Sequence, residues 1–424
     1  AGGGVYVQEN AEFIMNGGSI SNNTSTHQGG GVATQCENGD GGIFTMNGGT
    51  ISGNSAVNGG GIYSYSKTVT LNAGHIENNT AFGLGGGMYV STNPYSIQLG
   101  KALITGNHAD TMGGGIWSCP IGTIDFADGN FAVYDNTAGG AGDDVAALRK
   151  ATNTITTLGS NMLGGGVMAW HKDGGINTGS LTGNEWGTVN NDPRYSEGDS
   201  RVTPPNGSQD SFSAKAIVTD DAKTLATASA TLFITGNTAK QGGGIGSNGV
   251  VSLPGDSVTT DSLKVKKVWV GEGTHPDSVI VQLIKTTDGN DYVIDQVKLN
   301  AENEWTYTFT FADDGSEYSV KEIVPDGYTS SIEEKDGMYT ITNTKTTTPP
   351  VDPPVDPEDP NPRPGGGGDE DDDTPTIINE TPVPTTTIDD EDVPLTDLPE
   401  DTVTIDDEDV PLKDIPNTGD MIPV

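Results

Sequence analysis

The feature that most constrains this chain is a phrase that keeps returning: three glycines, an aliphatic residue, then usually an aromatic one. It reads Gly2-Gly3-Gly4-Val5-Tyr6, Gly59-Gly60-Gly61-Ile62-Tyr63, Gly85-Gly86-Gly87-Met88-Tyr89 and Gly113-Gly114-Gly115-Ile116-Trp117. Gly29-Gly30-Gly31-Val32-Ala33 keeps the glycines without the ring. The triplets begin at 2, 29, 59, 85 and 113, so the spacings are 27, 30, 26 and 28. A period of this size marks a solenoid, in which one repeat cannot bury its own apolar face and several must stack.

A second phrase lies between the triplets. An aliphatic residue is followed three positions later by Asn, as in Ile20/Asn23, Ile51/Asn54, Ile76/Asn79, Ile104/Asn107 and Val133/Asn136. Short alternating strands fit between these turns. The pattern predicts an all-β chain that opens with a right-handed parallel β-helix over residues 1–140. Each coil would stack about 4.8 Å on the last. Like residues then lie over like, inward Ile and Val fill a narrow core, and the Asn side chains can form a ladder. Glycine serves the corners, where positive φ is needed. Residues 141–262 read as an irregular insertion or cap followed by the last coil. A further triplet sits at Gly164-Gly165-Gly166, the rhythm breaks from Trp186 to Arg201, and Leu232 to Ala239 and Gly242 to Ile245 restore both phrases. The block resembles the glycine-rich β-helix repeats of large Gram-positive surface proteins and autotransporter-like adhesins.

Function classes narrow with charge. The formal charge is -39, from 59 acidic and 20 basic residues, which argues against nucleic acid and anionic membrane as partners. The two cysteines, Cys36 and Cys119, lie three repeats apart, roughly 14 Å along the axis by strand spacing. That is too far for a disulfide, and scattered histidines give no metal spacing. No metal or cofactor is expected. Tyr6, Tyr63, Tyr89 and Trp117 should point away from the core as a stacked stripe. That makes them a candidate sugar-binding face, or else a ladder that shields a strand. A polysaccharide lyase or hydrolase is the alternative reading of a parallel β-helix. Residues 1–140 carry no Arg and only two Lys, Lys67 and Lys101, and Asp143-Asp144 is the best residual carboxylate pair.

Composition changes at residue 263. Alternating strands run over 263–269, 279–284, 292–299, 305–311, 318–322 and 339–343, with turns at Asp288-Gly289 and Asp313-Asp314-Gly315. Residues 263–345 therefore predict an immunoglobulin-like β-sandwich. Lys267-Val268-Trp269, His275-Pro276, Asn303, Trp305, Tyr307, Phe309, Val320-Lys321-Glu322, Gly327-Tyr328 and Ile341-Thr342-Asn343-Thr344 resemble a collagen-adhesin B-type (Cna B-type) domain. The resemblance implies a lysine–asparagine isopeptide bond between Lys267 and Asn343, with Glu322 as assisting acid. Strand parity agrees, because Lys267, Glu322 and Asn343 all fall on apolar faces. Burial lowers a lysine pKa and raises that of a carboxylic acid. A neutral Lys267 would then attack the Asn343 carbonyl while protonated Glu322 polarises it.

Residues 346–414 hold 22 acidic residues and two basic ones, Arg363 and Lys413. Such a Pro/Thr-rich acidic segment reads as a disordered, wall-spanning linker. Ile415-Pro416-Asn417-Thr418-Gly419, within 415–424, resembles an LPXTG-type sortase signal with Ile in place of Leu. The resemblance implies cleavage between Thr418 and Gly419, with sortase and a peptidoglycan cross-bridge as partners. No signal peptide or membrane span is present, and the chain reads as a piece of a longer precursor. The combined expectation is a non-enzymatic, extracellular protein anchored to a Gram-positive cell wall. It would present its β-helix for adhesion to a glycan or host matrix ligand. A pilin subunit is the further alternative.

Overall fold

The computed structural model describes residues 2–37, 39–175, 193–253 and 259–346. The chain divides into a unit Ala1–Pro350 and a unit Val351–Val424; every described residue lies in the first. The linker and sorting signal assigned to 347–424 lie outside the described residues.

The chain is mostly strand, and its first part winds through three sheets in turn. Val5–Val7, Val32–Thr34, Ile62–Ser64 and Met88–Val90 pair in parallel as successive members of a nine-stranded sheet. A second, eleven-stranded sheet and a third, five-stranded one are built the same way from the same repeats. One repeat is thus one turn of a three-sided coil. Register is kept from turn to turn, so Val32, Ile62, Met88, Ile116 and Val145 occupy one column, each 0% exposed. Ile51, Ile76, Ile104 and Val133 fill a second column, also at 0%. In the triplets that begin at Gly29, Gly59, Gly85, Gly113 and Gly242 the first glycine is left-handed, as at Gly85 (φ +67), and the next two lie against the neighbouring coil. A Cβ on Gly86 would sit 2.4 Å from the Gly243 carbonyl oxygen.

The asparagines form a one-way ladder. Asn23 donates its Nδ2 to Asn54 Oδ1 at 2.9 Å, Asn54 to Asn79 at 3.0 Å, and Asn79 to Asn237 at 3.0 Å. Asn237 donates to Asn107 and Asn107 to Asn136, both at 2.9 Å. The run ends where Asn136 donates to Asp144 Oδ1, again at 2.9 Å. A carboxylate terminates it without leaving a donor unpaired, since Asp144 Oδ2 accepts from Ala216 N at 2.8 Å.

Asn237 shows that the expected coil order needs correction. By sequence, the segment 232–252 follows the insertion as the last coil. Instead it is seated in the middle of the stack. Ile245–Ser247 pairs with Met88–Val90 on one side and Ile116–Ser118 on the other. Leu232–Thr235 lies between Gly74–Glu77 and Ala102–Thr105. Sequence order and stacking order differ because every turn offers the same register and the same ladder, so nothing local fixes a turn's place. The extra layer also moves Cys36 and Cys119 to four strand spacings apart, roughly 19 Å; both are free and buried.

The stack is closed by a cap. Phe212–Ile217 runs antiparallel to Val145–Ala147 and to Ala169–Lys172, which breaks the parallel rhythm. Helix α1, Asp220–Ser229, follows, with Thr219 as its N-cap. The Gly164–Gly166 triplet is not a coil corner. Gly164 and Gly165 are left-handed, and a Cβ on Gly164 would lie 2.7 Å from the Leu225 carbonyl carbon of α1. Here glycine permits a close approach between the cap loop and α1.

Residues 260–345 form two sheets around a separate core. Thr306–Ala312, Thr260–Val270, Met338–Lys345 and Tyr328–Lys335 make a four-stranded sheet, and Asn290–Asn300, Ser278–Thr287 and Glu317–Ile323 a three-stranded one. Leu263, Val265, Val281, Leu283, Ile294, Leu299, Phe309 and Ile341 lie between them. The first and last strands pair in parallel, with Lys267 opposite Ile341 and Trp269 opposite Asn343.

Candidate functional site

Alternation in three strands brings three polar side chains into the sandwich core. Along Thr260–Val270 the inward residues are Leu263, Val265 and Lys267; along Glu317–Ile323 they are Val320 and Glu322; along Met338–Lys345 they are Ile341 and Asn343. Lys267 and Asn343 lie on adjacent strands of one sheet, and Glu322 faces them from the other. The side chains of Lys267 and Glu322 are 0% and 1% exposed, and Asn343 is fully buried.

Their contacts are short and convergent. Lys267 Nζ lies 3.0 Å from Glu322 Oε1. Asn343 Nδ2 donates to the same Oε1 at 2.9 Å. Lys267 also donates to the Ile341 carbonyl at 3.4 Å. Ser330 Oγ donates to Glu322 Oε2 at 2.6 Å. Asn343 Oδ1 is buried without a hydrogen-bond partner, which is costly unless the group has another use. Burial pushes the Lys267 amine below its ordinary value, although Glu322 pulls the other way. One detail differs from expectation. Glu322 meets the amide nitrogen of Asn343 rather than its carbonyl oxygen, so in this rotamer it is not placed to polarise the carbonyl.

Two partners were not foreseen. Ser330 sits on Tyr328–Lys335, whose weak alternation hid it as a strand. Trp269 covers the amine, with Lys267 Nζ 4.7 Å from its ring centroid. His275 stacks on Trp269 at 4.6 Å, and Trp305 and Tyr328 meet it edge-on at 5.5 and 5.1 Å. These rings close that end of the sandwich over the amine.

The other sequence candidates fare differently. Tyr63, Tyr89 and Trp117 do share the face of the first sheet opposite the core, with Tyr63 opposite Tyr89. Yet they are only 6%, 5% and 5% exposed, and Tyr6 alone is open at 43%. Ala33, Met112, Ala141 and Leu148 pack with them. The expected sugar-binding stripe is therefore corrected to a second, covered apolar layer, because residues flanking these strands, such as Leu84, Met112 and Leu148, pack against the three rings. Asp143 and Asp144 make no open carboxylate pair. Asp144 is fully buried at the end of the ladder, and Asp143 is bound by Arg194 and by Lys215 at 3.0 Å. Ile415, Pro416, Asn417, Thr418 and Gly419 lie outside the described residues.

The sandwich is seated on the cap of the coil stack. Arg201 forks onto Asp295 at 2.6 and 2.8 Å and reaches the Tyr307 hydroxyl at 3.1 Å. Lys285 Nζ donates to the Gly164 carbonyl at 2.9 Å and to Asp314 at 2.5 Å. Thr219 Oγ1 donates to the Val293 carbonyl, and Val293 N donates to Asp221 at 2.8 Å.

Comparisons with known proteins bear on the sandwich. Residues 263–344 match the model of the Cna protein B-type domain. No curated protein matches the chain. Among solved structures, the chain is similar to the pilus adhesin SpaC from Lactobacillus rhamnosus GG, at 21% identity and a TM-score of 0.19. That likeness covers 21% of this chain and 13% of the adhesin. It is also similar to a single B repeat unit of the collagen-binding surface protein Cna of Staphylococcus aureus, at 29% identity and a TM-score of 0.18. There it covers 25% of this chain and 57% of the other. The chain thus spans a small part of the adhesin and just over half of the repeat unit.

Proposed function

We propose that this chain is part of a Gram-positive surface protein, an adhesin carried on a covalently braced stalk domain. The coil stack is read as a right-handed parallel β-helix that is displayed outward. The sandwich is the stalk module, and the acidic tail with its Ile415–Gly419 signal is the segment that sortase joins to peptidoglycan. The ligand is a glycan or host matrix component met by the outer surface of the stack, not by the covered ring stripe.

The observation that carries this reading is the buried trio. Lys267, Glu322 and Asn343 converge on one oxygen, and an isopeptide bond is the reaction they suit. Lys267 Nζ, whose pKa burial lowers, attacks Asn343 Cγ as the free amine; the Nζ–Cγ bond forms and the Cγ–Nδ2 bond breaks. Glu322 Oε1 already accepts from both nitrogens. It takes the proton that Lys267 loses and returns it to the departing nitrogen, which leaves as ammonia. Ser330 holds the other carboxylate oxygen in place. The rings of Trp269 and its neighbours keep water from the amine. The bond joins the first and last strands of the domain, so tension entering at one terminus leaves at the other without unfolding what lies between.

Proteolysis followed by tandem mass spectrometry tests the reaction. The expected product is a branched peptide linking Lys267 to Asn343, absent from the Glu322→Gln variant. Linear peptides carrying free Lys267 and Asn343 in the unsubstituted chain would refute it.

A further inference from the structure

The seated turn, 232–252, occupies a place that the rest of the stack does not need it to fill. It makes one full turn. Leu232–Thr235, Thr238–Gln241, Ile245–Ser247 and Val250–Ser252 each lie between a strand of 74–99 and a strand of 102–126. The chain steps over this turn at Gly100 and Lys101, the two residues between Ser96–Leu99 and Ala102–Thr105. In the preceding coil two residues also separate Val69–Leu71 from Gly74–Glu77, namely Asn72 and Ala73, and there no turn is skipped. A link of the same length therefore serves both a simple corner and a step of one layer.

The faces on either side of the turn match each other. Ile76 and Ile104 both pair with Ile234. Met88 and Ile116 both pair with Ile245. Ile97 and Ile124 both pair with Val251. Asn79 donates to Asn237 as Asn237 donates to Asn107, so the ladder would close without a change of direction. The triplet spacing across the step, from 85 to 113, is 28, within the range of the others. With the turn gone, the two flanking coils meet in register, and one inter-coil interface replaces two.

We propose that residues 232–252 are an exchangeable turn, and that the stack has two closed forms. In one the turn is seated, as here. In the other it has left and the coils 74–99 and 102–126 have closed on each other. The seated form dominates, since it buries Leu232, Ile234, Ile245 and Val251. Departure does not leave an open slot, which removes the usual barrier to extracting an interior element. The turn lies directly ahead of the sandwich, so its release lengthens the connection by 21 residues, about 70 Å if extended. Use of that length as a reserve under tension rests on the stalk reading above; the exchange itself does not.

Disulfide trapping in the full chain separates the forms. Glu77 and Thr105 both pair with Thr235 from opposite sides. In the seated form they are two strand spacings apart, about 9.6 Å, which a disulfide does not span; in the other form they are direct partners at about 4.8 Å. In a glutathione redox buffer, the E77C/T105C chain should accumulate the 77–105 disulfide, faster than buried Cys36 reacts with a thiol reagent. Adding Asn237→Ala, which removes the turn's ladder bonds, should raise the trapping rate about tenfold. T80C/H108C, which flank Thr238 in the same way, should behave alike. T105C/T235C reports the seated form and should close at once. No 77–105 or 80–108 disulfide, or trapping only as fast as Cys36 is labelled, would overturn the proposal.

Discussion

At the scale of single residues, the buried asparagines of the ladder are kept inside by partners on both neighbouring coils. Asn107 is 1% exposed, and its side chain accepts from Asn237 and donates to Asn136 Oδ1 and the Ile234 carbonyl. Asn107→Ala strips a partner from Asn237, Asn136 and the Ile234 carbonyl at once and should cost about 2–4 kcal/mol in urea denaturation. Asn23→Ala, at the open end of the ladder, should cost under about 1 kcal/mol in the same measurement. Asp144 ends the ladder as an acid rather than an amide. Burial pushes its carboxyl up to about 7 despite the hydrogen bonds from Ala216 and Asn136. The folded state then holds a proton that the unfolded chain has already lost, so this group's contribution falls as pH rises from about 4 to about 7. The shift sets an upper limit of about 4 kcal/mol on that loss. Thermal melts at pH 5 and pH 8 should show the decline, and Asp144→Asn should flatten it while lowering stability at both. The three residues of the sandwich site were legible from strand parity and from resemblance together. Ser330 was not, because a strand with little apolar alternation looks like a loop until its neighbours are known.

Among elements, periodicity revealed what the repeats are but not where each one goes. The triplets and the Asn phrase located the coils, their strands and the inward columns. They were silent on order, because turns built to one template share the same register and ladder, so nothing in the repeat pattern tells that 232–252 is seated between 74–99 and 102–126. The same blindness affected glycine. Gly85-Gly86-Gly87 and Gly164-Gly165-Gly166 look alike in sequence, yet the second packs against α1 and the Lys285 amine. Gly164→Ala would require φ +76 of an alanine and a contact of 2.7 Å with Leu225. It should cost about 2 kcal/mol or more by strain and overpacking combined, read as a lower melting temperature. The aromatic stripe shows the limit of parity. Parity states which side of a sheet a ring leaves by, not whether a loop returns to cover it.

Across the whole described unit, the cap and the sandwich are fastened by charge. Arg201, bidentate on the nearly buried Asp295, is the main tie. Arg201→Ala would leave that carboxylate without its partner and should cost about 3–5 kcal/mol. Calorimetry should show it as two separated transitions where the unsubstituted chain gives a merged one. The fastening matters only if the sandwich is itself resistant, and the proposed function assigns that resistance to the proposed Lys267–Asn343 bond across its first and last strands. The intact mass of the denatured, purified chain decides this most directly. The expected mass is lower than that of the sequence by one ammonia, and Lys267→Ala and Asn343→Ala should each show the full mass of their own sequence. The full sequence mass in the unsubstituted chain would contradict it.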